Sequence, residues 1–181
     1  RLLFSSYGAC LNLGGFSNIS FDVKAQRVAF DICPVNIVLN HLANQIGMMY
    51  DADGIMAKKG RVDVPTLNAL NELPYYKKSF PKSLAWEWVD ACIFPILEKS
   101  NLSTNDALRT FVQHIVEQIS SVVKRNQLTS VLISGGGAYN TFLIDELNKL
   151  NPSVYCTANA QITEGKEAMA FGFLGLLKFL N

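Results

Sequence analysis

LNLGGFSNIS, Leu11 to Ser20, and AFDICPVN, Ala29 to Asn36, are the stretches on which the fold turns. Three β-type runs, Ala9 to Leu13, Phe16 to Asp22 and Arg27 to Ile32, are linked by Gly14-Gly15 and by the polar turn Asp22-Val23-Lys24-Ala25-Gln26. That pattern predicts an antiparallel meander. Gly14 and Gly15 can take backbone angles closed to other residues and expose peptide N–H groups with no side chain blocking an anion, which points to phosphate chemistry. An ordinary hairpin with a glycine bulge accounts for the same pair. Asp31 falls where a strand stops.

Pro34 forces a turn, after which Val35, Val38, Leu39, Leu42, Ala43 and Ile46 recur at helical spacing as far as Gly47. From Tyr50 to Leu97 the pattern is helical but broken at Gly54, Gly60, Pro65, Pro74, Pro81 and Pro95, as expected of a helical insertion over about 50–100. A long helix follows from the Ser103/Asn105 cap region to about Lys124, with Leu108, Phe111, Val112, Ile115, Ile119 and Val122 on the face that packs on a sheet. The strand SVLIS, Ser130 to Ser134, runs into Gly135-Gly136-Gly137 and a helix from about Asn140 to Leu150. A second strand-helix unit, Val154 to Thr157 and Glu164 to Leu180, closes the chain. No repeat or low-complexity segment interrupts it.

With 181 residues, 49% of them apolar, the chain is long enough to bury a core, and one α/β domain is the expectation. Sixteen basic and fifteen acidic residues leave a charge of +1, no footprint for nucleic acid or an anionic membrane. Cys10, Cys33, Cys92 and Cys156 show no C-x-x-C pair and no histidine at zinc spacing, so reduced, mostly buried thiols in a reducing cytoplasm are expected, and no metal site. Two bridges among the four remain open. No signal peptide is visible, and the apolar run Ala168 to Leu177 is too short to span a bilayer and reads as a buried helix. The chain opens on Arg1 without a methionine and is read as a fragment.

ISGGGAYN, Ile133 to Asn140, joins a strand, three glycines and a helix start, where backbone N–H groups and a helix N-terminus can meet a nucleotide. It is neither a Walker A loop nor a G-x-G-x-x-G fingerprint, and a purely structural turn is the alternative. Two glycine turns in one α/β chain, one beside a strand-end aspartate, resemble the layout of the sugar kinase, hexokinase and actin superfamily. The nearer resemblance is to the anhydro-N-acetylmuramic acid kinases. It is carried by NLGGFSN at Asn12 to Asn18, FDICPVN at Phe30 to Asn36, DADG at Asp51 to Gly54, PKSLA at Pro81 to Ala85, SGGGAYN at Ser134 to Asn140 and KEAMAF at Lys166 to Phe171, in the family's order and over essentially the whole chain.

The resemblance implies an actin-like ATPase (ribonuclease H-like) lobe of α/β class, with a mixed sheet, an antiparallel N-terminal meander, flanking helices and a helical insertion. It implies an enzyme that uses ATP, Mg²⁺ and water to open the 1,6-anhydro bridge of anhydro-N-acetylmuramic acid and phosphorylate the freed 6-oxygen. Asp31 matches the family's catalytic base. Gly14, Gly15 and Asn18 are the phosphate-side candidates, Gly135, Gly136, Gly137 and Asn140 match the adenosine-side turn, and Glu167 matches a glutamate facing the sugar. Two rival explanations stand: Asp31 as a cap for the helix after Pro34, and Glu167 in a salt bridge with a neighbouring lysine.

The chain departs from the family pattern in three places. Cys33-Pro34-Val35-Asn36 stands where most members read GPGN, Ala85 replaces the glycine after PKS, and Gly165-Lys166 makes the loop before Glu167 unusual. No G-T-S-x-D-G phosphate turn occurs in the 181 residues. The expectation is therefore residues 1–181 as one lobe, the C-terminal half of a two-lobe kinase, with the missing N-terminal lobe and an amino-sugar substrate as partners and a homodimer as a further one. A non-catalytic sugar- or nucleotide-binding module is the competing reading, and a scaffold whose turns bind nothing is the third.

Other features carry less. Asp51-x-Asp53-Gly54 lacks the glycine and glutamate spacing of a calcium loop and reads as a helix-linking turn. Lys77, Lys78 and Lys82 beside Tyr75, Tyr76 and Phe80 form a small basic cluster, set against a neutral chain. His41 and His114 are single helical histidines, and Trp86 and Trp88 read as core or lobe contacts.

Overall fold

The computed structural model describes residues 4–180, except for the side chains of Lys166 and Glu167. Alternation of apolar and polar residues builds β1 (Ala9–Leu13), β2 (Phe16–Val23) and β3 (Gln26–Pro34), which pair antiparallel as the meander predicts. β4 (Val131–Ser134) adds parallel to β1, and β5 (Tyr155–Thr157) parallel to β4, giving the order β3-β2-β1-β4-β5. One face of this mixed sheet buries Leu11, Leu13, Ile19, Phe21, Ile32, Val131 and Ile133.

That face is covered by α1 (Asn36–Asn44) and, above all, by α7 (Thr104–Arg125), whose Leu108, Phe111, Ile115 and Ile119 are fully buried. α7 starts where Ser103 Oγ accepts the Asp106 amide at 3.2 Å and donates to the Asp106 carboxylate at 2.7 Å, and it ends on Lys124 and Arg125, suited to the negative end of its dipole. Between α1 and α7 run the short helices that the prolines and glycines predict: α2 (Ile55–Lys59), α3 (Val64–Asn71), α4 (Pro74–Lys77), α5 (Trp86–Cys92) and α6 (Phe94–Ser100). α2, α3 and α8 (Thr141–Leu150) all pack on α7.

His114 is buried in α7, and its partners fix its tautomer. Nδ1 lies 2.7 Å from the Asn71 side-chain oxygen, which also accepts from Gln118, so Nδ1 donates; Nε2 accepts from the Tyr76 hydroxyl at 2.9 Å. Burial holds its pKa down at about 3. Trp88 packs on Tyr75 and Tyr76, whereas Trp86 is half exposed against Phe94, and His41 stacks on Phe94 at 4.1 Å.

Two expectations need correction. The final helix, α9 (Ala160–Leu180), begins four residues before Glu164, and its apolar run is exposed rather than buried, with Phe171, Leu174 and Leu176 each more than half in solvent, as is Phe179 just beyond it. The run is apolar around much of its circumference, a pattern that looks like burial in sequence, yet the described sheet and helices supply no layer over it. Of the cysteines, all free, only Cys33 is buried; Cys10 and Cys92 are half-buried and Cys156 is exposed, because Cys10 and Cys156 sit on strand faces away from α7. Among the described residues no helix is long and apolar enough to cross a membrane.

Candidate functional site

β1 and β4 run parallel, and β3 shares their direction through two antiparallel pairings, so their C-terminal ends meet at one edge of the sheet, the edge where α/β folds bind ligands. The Gly14-Gly15 turn, Asn36 and the Gly135–Gly137 turn all lie there. The structure gives these glycines unequal reasons to be glycine. Gly14 and Gly15 do not have positive φ, and a Cβ on either would meet nothing closer than 3.2 Å. Gly135 has φ +90°, and a Cβ on it would lie 2.6 Å from Asn12 Oδ1 and 2.7 Å from the Leu13 carbonyl. A Cβ on Gly137 would sit 2.7 Å from that of Leu13, whereas Gly136 faces open space, with Asn36 Nδ2 at 3.6 Å. Close approach of the protein itself thus accounts for the outer two glycines, and Gly136 faces the cavity.

The Gly14 amide and both glycine carbonyls of the hairpin turn are taken by the chain's own backbone. Gly14 N–H donates to Phe16 O at 3.1 Å; Gly14 O accepts the Asn36 amide, and Gly15 O accepts those of Val35 and Ile37, at 2.8–3.3 Å. The turn therefore caps α1 through its carbonyls, and no side chain caps that helix.

Asp31 is held from three sides. Its backbone N–H donates to Lys82 O at 3.2 Å, its carbonyl accepts the Tyr75 hydroxyl at 2.7 Å, and its Oδ2 accepts the Leu84 amide at 2.9 Å. It does not cap α1, so that rival explanation falls. Oδ1 accepts no hydrogen bond among the described residues. A register shift between Ser17 and Asn18 places Asn18, exposed, directly across from Asp31. Two residues on, Cys33 turns its thiol into the core against Ser17 Oγ at 3.2 Å, where burial pushes its pKa up to about 12. Val35 is fully buried as well.

A cavity of about 360 Å³ opens beside the triple glycine. Of the residues singled out in the sequence it takes Gly136 and Asn140; Gly14, Gly15, Asn18 and Asp31 stand outside its lining. Asn140 also caps α8, accepting the Leu143 amide at 3.0 Å. Sequence reasoning missed Asn36, Asn40, Tyr50, Asp53 and Tyr139, which also line the cavity. Asn36 and Asn40 carried a signal, two amides one helical turn apart on one side of α1. Asp51 borders the cavity too, but its carboxylate accepts the Met56 and Ala57 amides at 2.8 and 2.9 Å, the helix-linking role expected of DADG. The Glu167 side chain lies outside the described residues. No group of three or more His, Cys, Asp or Glu gathers among those described.

Solved structures with this arrangement share its actin-like ATPase fold. The activator of 2-hydroxyisocaproyl-CoA dehydratase from Clostridium difficile, solved with bound ADPNP, superposes with a TM-score of 0.57 at 14% identity, over 92% of this chain and 64% of that one. Component A of (R)-2-hydroxyglutaryl-CoA dehydratase from Acidaminococcus fermentans gives 0.55 at 12% identity, over 89% and 58%. Sequence relatives agree on a narrower group. Anhydro-N-acetylmuramic acid kinases of Sulfurovum sp. and Aliivibrio fischeri are 30% and 32% identical over 94% and 93% of this chain, and that of Hydrogenovibrio crunogenus is 35% identical over 77%. The chain spans about half the length of these relatives, 48% of the first two. The model of the family described as anhydro-N-acetylmuramic acid kinase matches residues 4–181. With that match over all but three residues, and with three of the family's motifs, NLGGFSN, FDICPVN and SGGGAYN, ending at one edge of an actin-like sheet, the chain belongs to the anhydro-N-acetylmuramic acid kinase family.

Proposed function

We propose that this chain is the nucleotide-holding, C-terminal lobe of an ATP-dependent kinase that converts 1,6-anhydro-N-acetylmuramic acid into N-acetylmuramic acid 6-phosphate. The observation that carries the reading is the meeting of two distant motifs: Asn36 of FDICPVN stands against Gly136 of SGGGAYN on the wall of one cavity. That cavity suits a nucleoside. The Tyr50 and Tyr139 rings are half exposed and offer faces for a base, the carboxamides of Asn36, Asn40 and Asn140 offer donors and acceptors for its edge, and Asp53 can accept from ribose hydroxyls.

ATP supplies the phosphoryl group, and Mg²⁺ neutralises charge on it. Asp31 takes the proton of the water that attacks the anomeric carbon. The bond from that carbon to the bridging oxygen breaks, its electron pair stays on the 6-oxygen, and that oxygen attacks the γ-phosphorus of ATP as the bond to the β–γ bridging oxygen breaks and its electron pair leaves with ADP. The Leu84 amide and Tyr75 hold the strand and carboxylate for this task, leaving Oδ1 for the water. The sugar's remaining contacts, and the second phosphate turn, belong to the opposing N-terminal lobe. Four free cysteines accord with a reducing cytoplasm.

Cys33 and Val35, which stand where most of the family has glycine, both point into the core. Their side chains leave the cleft open, which favours the kinase over a non-catalytic binding module. The test is to incubate the full-length gene product with anhydro-N-acetylmuramic acid, ATP and Mg²⁺ and to look for the sugar phosphate by mass spectrometry, then to repeat with Asp31→Asn. Wild-type turnover lost in the variant, with nucleotide binding kept, is the expected result. Sugar binding without any turnover in wild type would award the chain to the binding-module reading, and a variant as fast as wild type would remove Asp31 from the chemistry.

A further inference from the structure

A second pocket, of about 120 Å³, lies between the 78–82 loop, β3 and the C-terminal turn of α7, and shares no lining residue with the cavity at the glycine turn. Its lining includes Lys78, Lys82 and Arg125 and holds no carboxylate. Among the described residues none of these three cations makes an ion pair. Phe30 of β3 contributes to the wall, while Asp31, next along the strand, is not part of it.

Lys78 and Arg125 are exposed, and alone they would be ordinary surface charges. Lys82 is different. Its ammonium is half-buried, donates to the Tyr75 carbonyl at 3.3 Å, and lies over the Tyr75 and Phe30 rings at 4.5 and 5.9 Å. Burial first, and then Arg125, disfavour its charged form, with Lys78 adding to the effect. Three like charges around one concavity repel each other, and an anion between them relieves that repulsion while gaining charge-assisted hydrogen bonds. Ser79 and Ser121 add hydroxyls to the same wall. The volume is about four times the ~30 Å³ that a water takes in the liquid, enough for one small oxoanion and too little for a nucleoside.

We propose that this pocket is a binding site for a tetrahedral oxoanion, inorganic phosphate or the phosphate group of a monoester, held by Lys78, Lys82 and Arg125. The site lies directly behind Asp31, because the Lys82 carbonyl accepts the Asp31 amide and the Leu84 amide donates to its carboxylate. An occupant that fixes the 78–82 loop therefore also fixes the segment from which the Asp31 carboxylate hangs.

The test is an NMR titration of the chain with inorganic phosphate at ionic strength held constant with sodium chloride. Saturable shifts are expected at the amides of Phe30, Ser79, Lys82 and Arg125, with those of Asp31 and Leu84 following. Arg125→Gln and Lys78→Gln change exposed side chains and keep the fold, as an unchanged spectrum away from the pocket will verify; each should weaken phosphate binding by about tenfold. A parallel titration with glycerol 3-phosphate identifies the source: tighter binding assigns the site to a monoester, equal or weaker binding to free phosphate. A linear response that chloride reproduces, or a saturable one that both variants leave unchanged, would overturn the proposal.

Discussion

Acid should loosen this fold through one imidazole. His114 is fully buried and neutral, donating to Asn71 on α3 and accepting from Tyr76 on α4. Its pKa of about 3 lies well below the ~6.5 of a histidine in an unfolded chain. The unfolded state therefore binds the proton first. Stability is insensitive to this group above about pH 6.5 and falls by about 1.4 kcal/mol for each pH unit below it, until the folded imidazole itself titrates near pH 3. At pH 4.5, two units down, the loss is roughly 3 kcal/mol, a large part of a domain's usual margin. The measurement is urea unfolding by circular dichroism at pH 7.5, 6 and 4.5 for wild type and His114→Gln. The variant should be weaker at neutral pH, by about 1–3 kcal/mol for the lost hydrogen bonds. Between pH 7.5 and 4.5, however, it should lose roughly 3 kcal/mol less than wild type, with the carboxylates cancelling in the difference. Parallel pH profiles would refute the reasoning.

Gly54 has φ +69°, and a Cβ there would lie 2.5 Å from Asn140 Oδ1, so Gly54→Ala should cost roughly 3 kcal/mol in chemical denaturation and weaken nucleotide binding in calorimetry. Asn140→Ala should remove the cap of α8, worth about 1 kcal/mol, and lower nucleotide affinity more than sugar affinity. Tyr75→Phe deletes the hydroxyl that donates to the Asp31 carbonyl, and a stability loss of about 1 kcal/mol with a fall in kcat at unchanged ATP KM is expected. Toward a disulfide reagent, exposed Cys156 should react in the native protein, while Cys33, buried with its pKa near 12, should react only on unfolding.

The meander and α7 were legible because their signals are local. Strand residues alternate between buried and half-exposed in β1, and α7 pairs a Ser103 cap with a 3.6-residue apolar repeat. For the same reason NLGG, FDICPVN and SGGGAYN could be read as strand ends, and the sheet brings those ends to one edge. The cavity was not legible residue by residue, because its wall comes from α1, the segment before α2 and the turn after β4, segments that only the parallel crossover brings together. Gly14 and Gly15 mislead in a related way: a glycine pair advertises unusual backbone angles, yet the positive φ belongs to Gly135, where the neighbour that demands it is Asn12 and Leu13 more than a hundred positions away. α9 shows the converse limit, since an apolar run records that a helix is to be covered without recording by what.

The carbonyl cap that Gly14 and Gly15 place on α1 bears on motion. Three amides at the start of α1 are tied to the hairpin turn, so the turn and the helix that carries Asn36 and Asn40 form one mechanical piece. A hairpin free to fold down over a phosphate would have to break those three bonds first. Any closing of a cleft against this edge must therefore move the sheet edge, the hairpin and α1 together as a rigid jaw, with the pivot elsewhere in the chain.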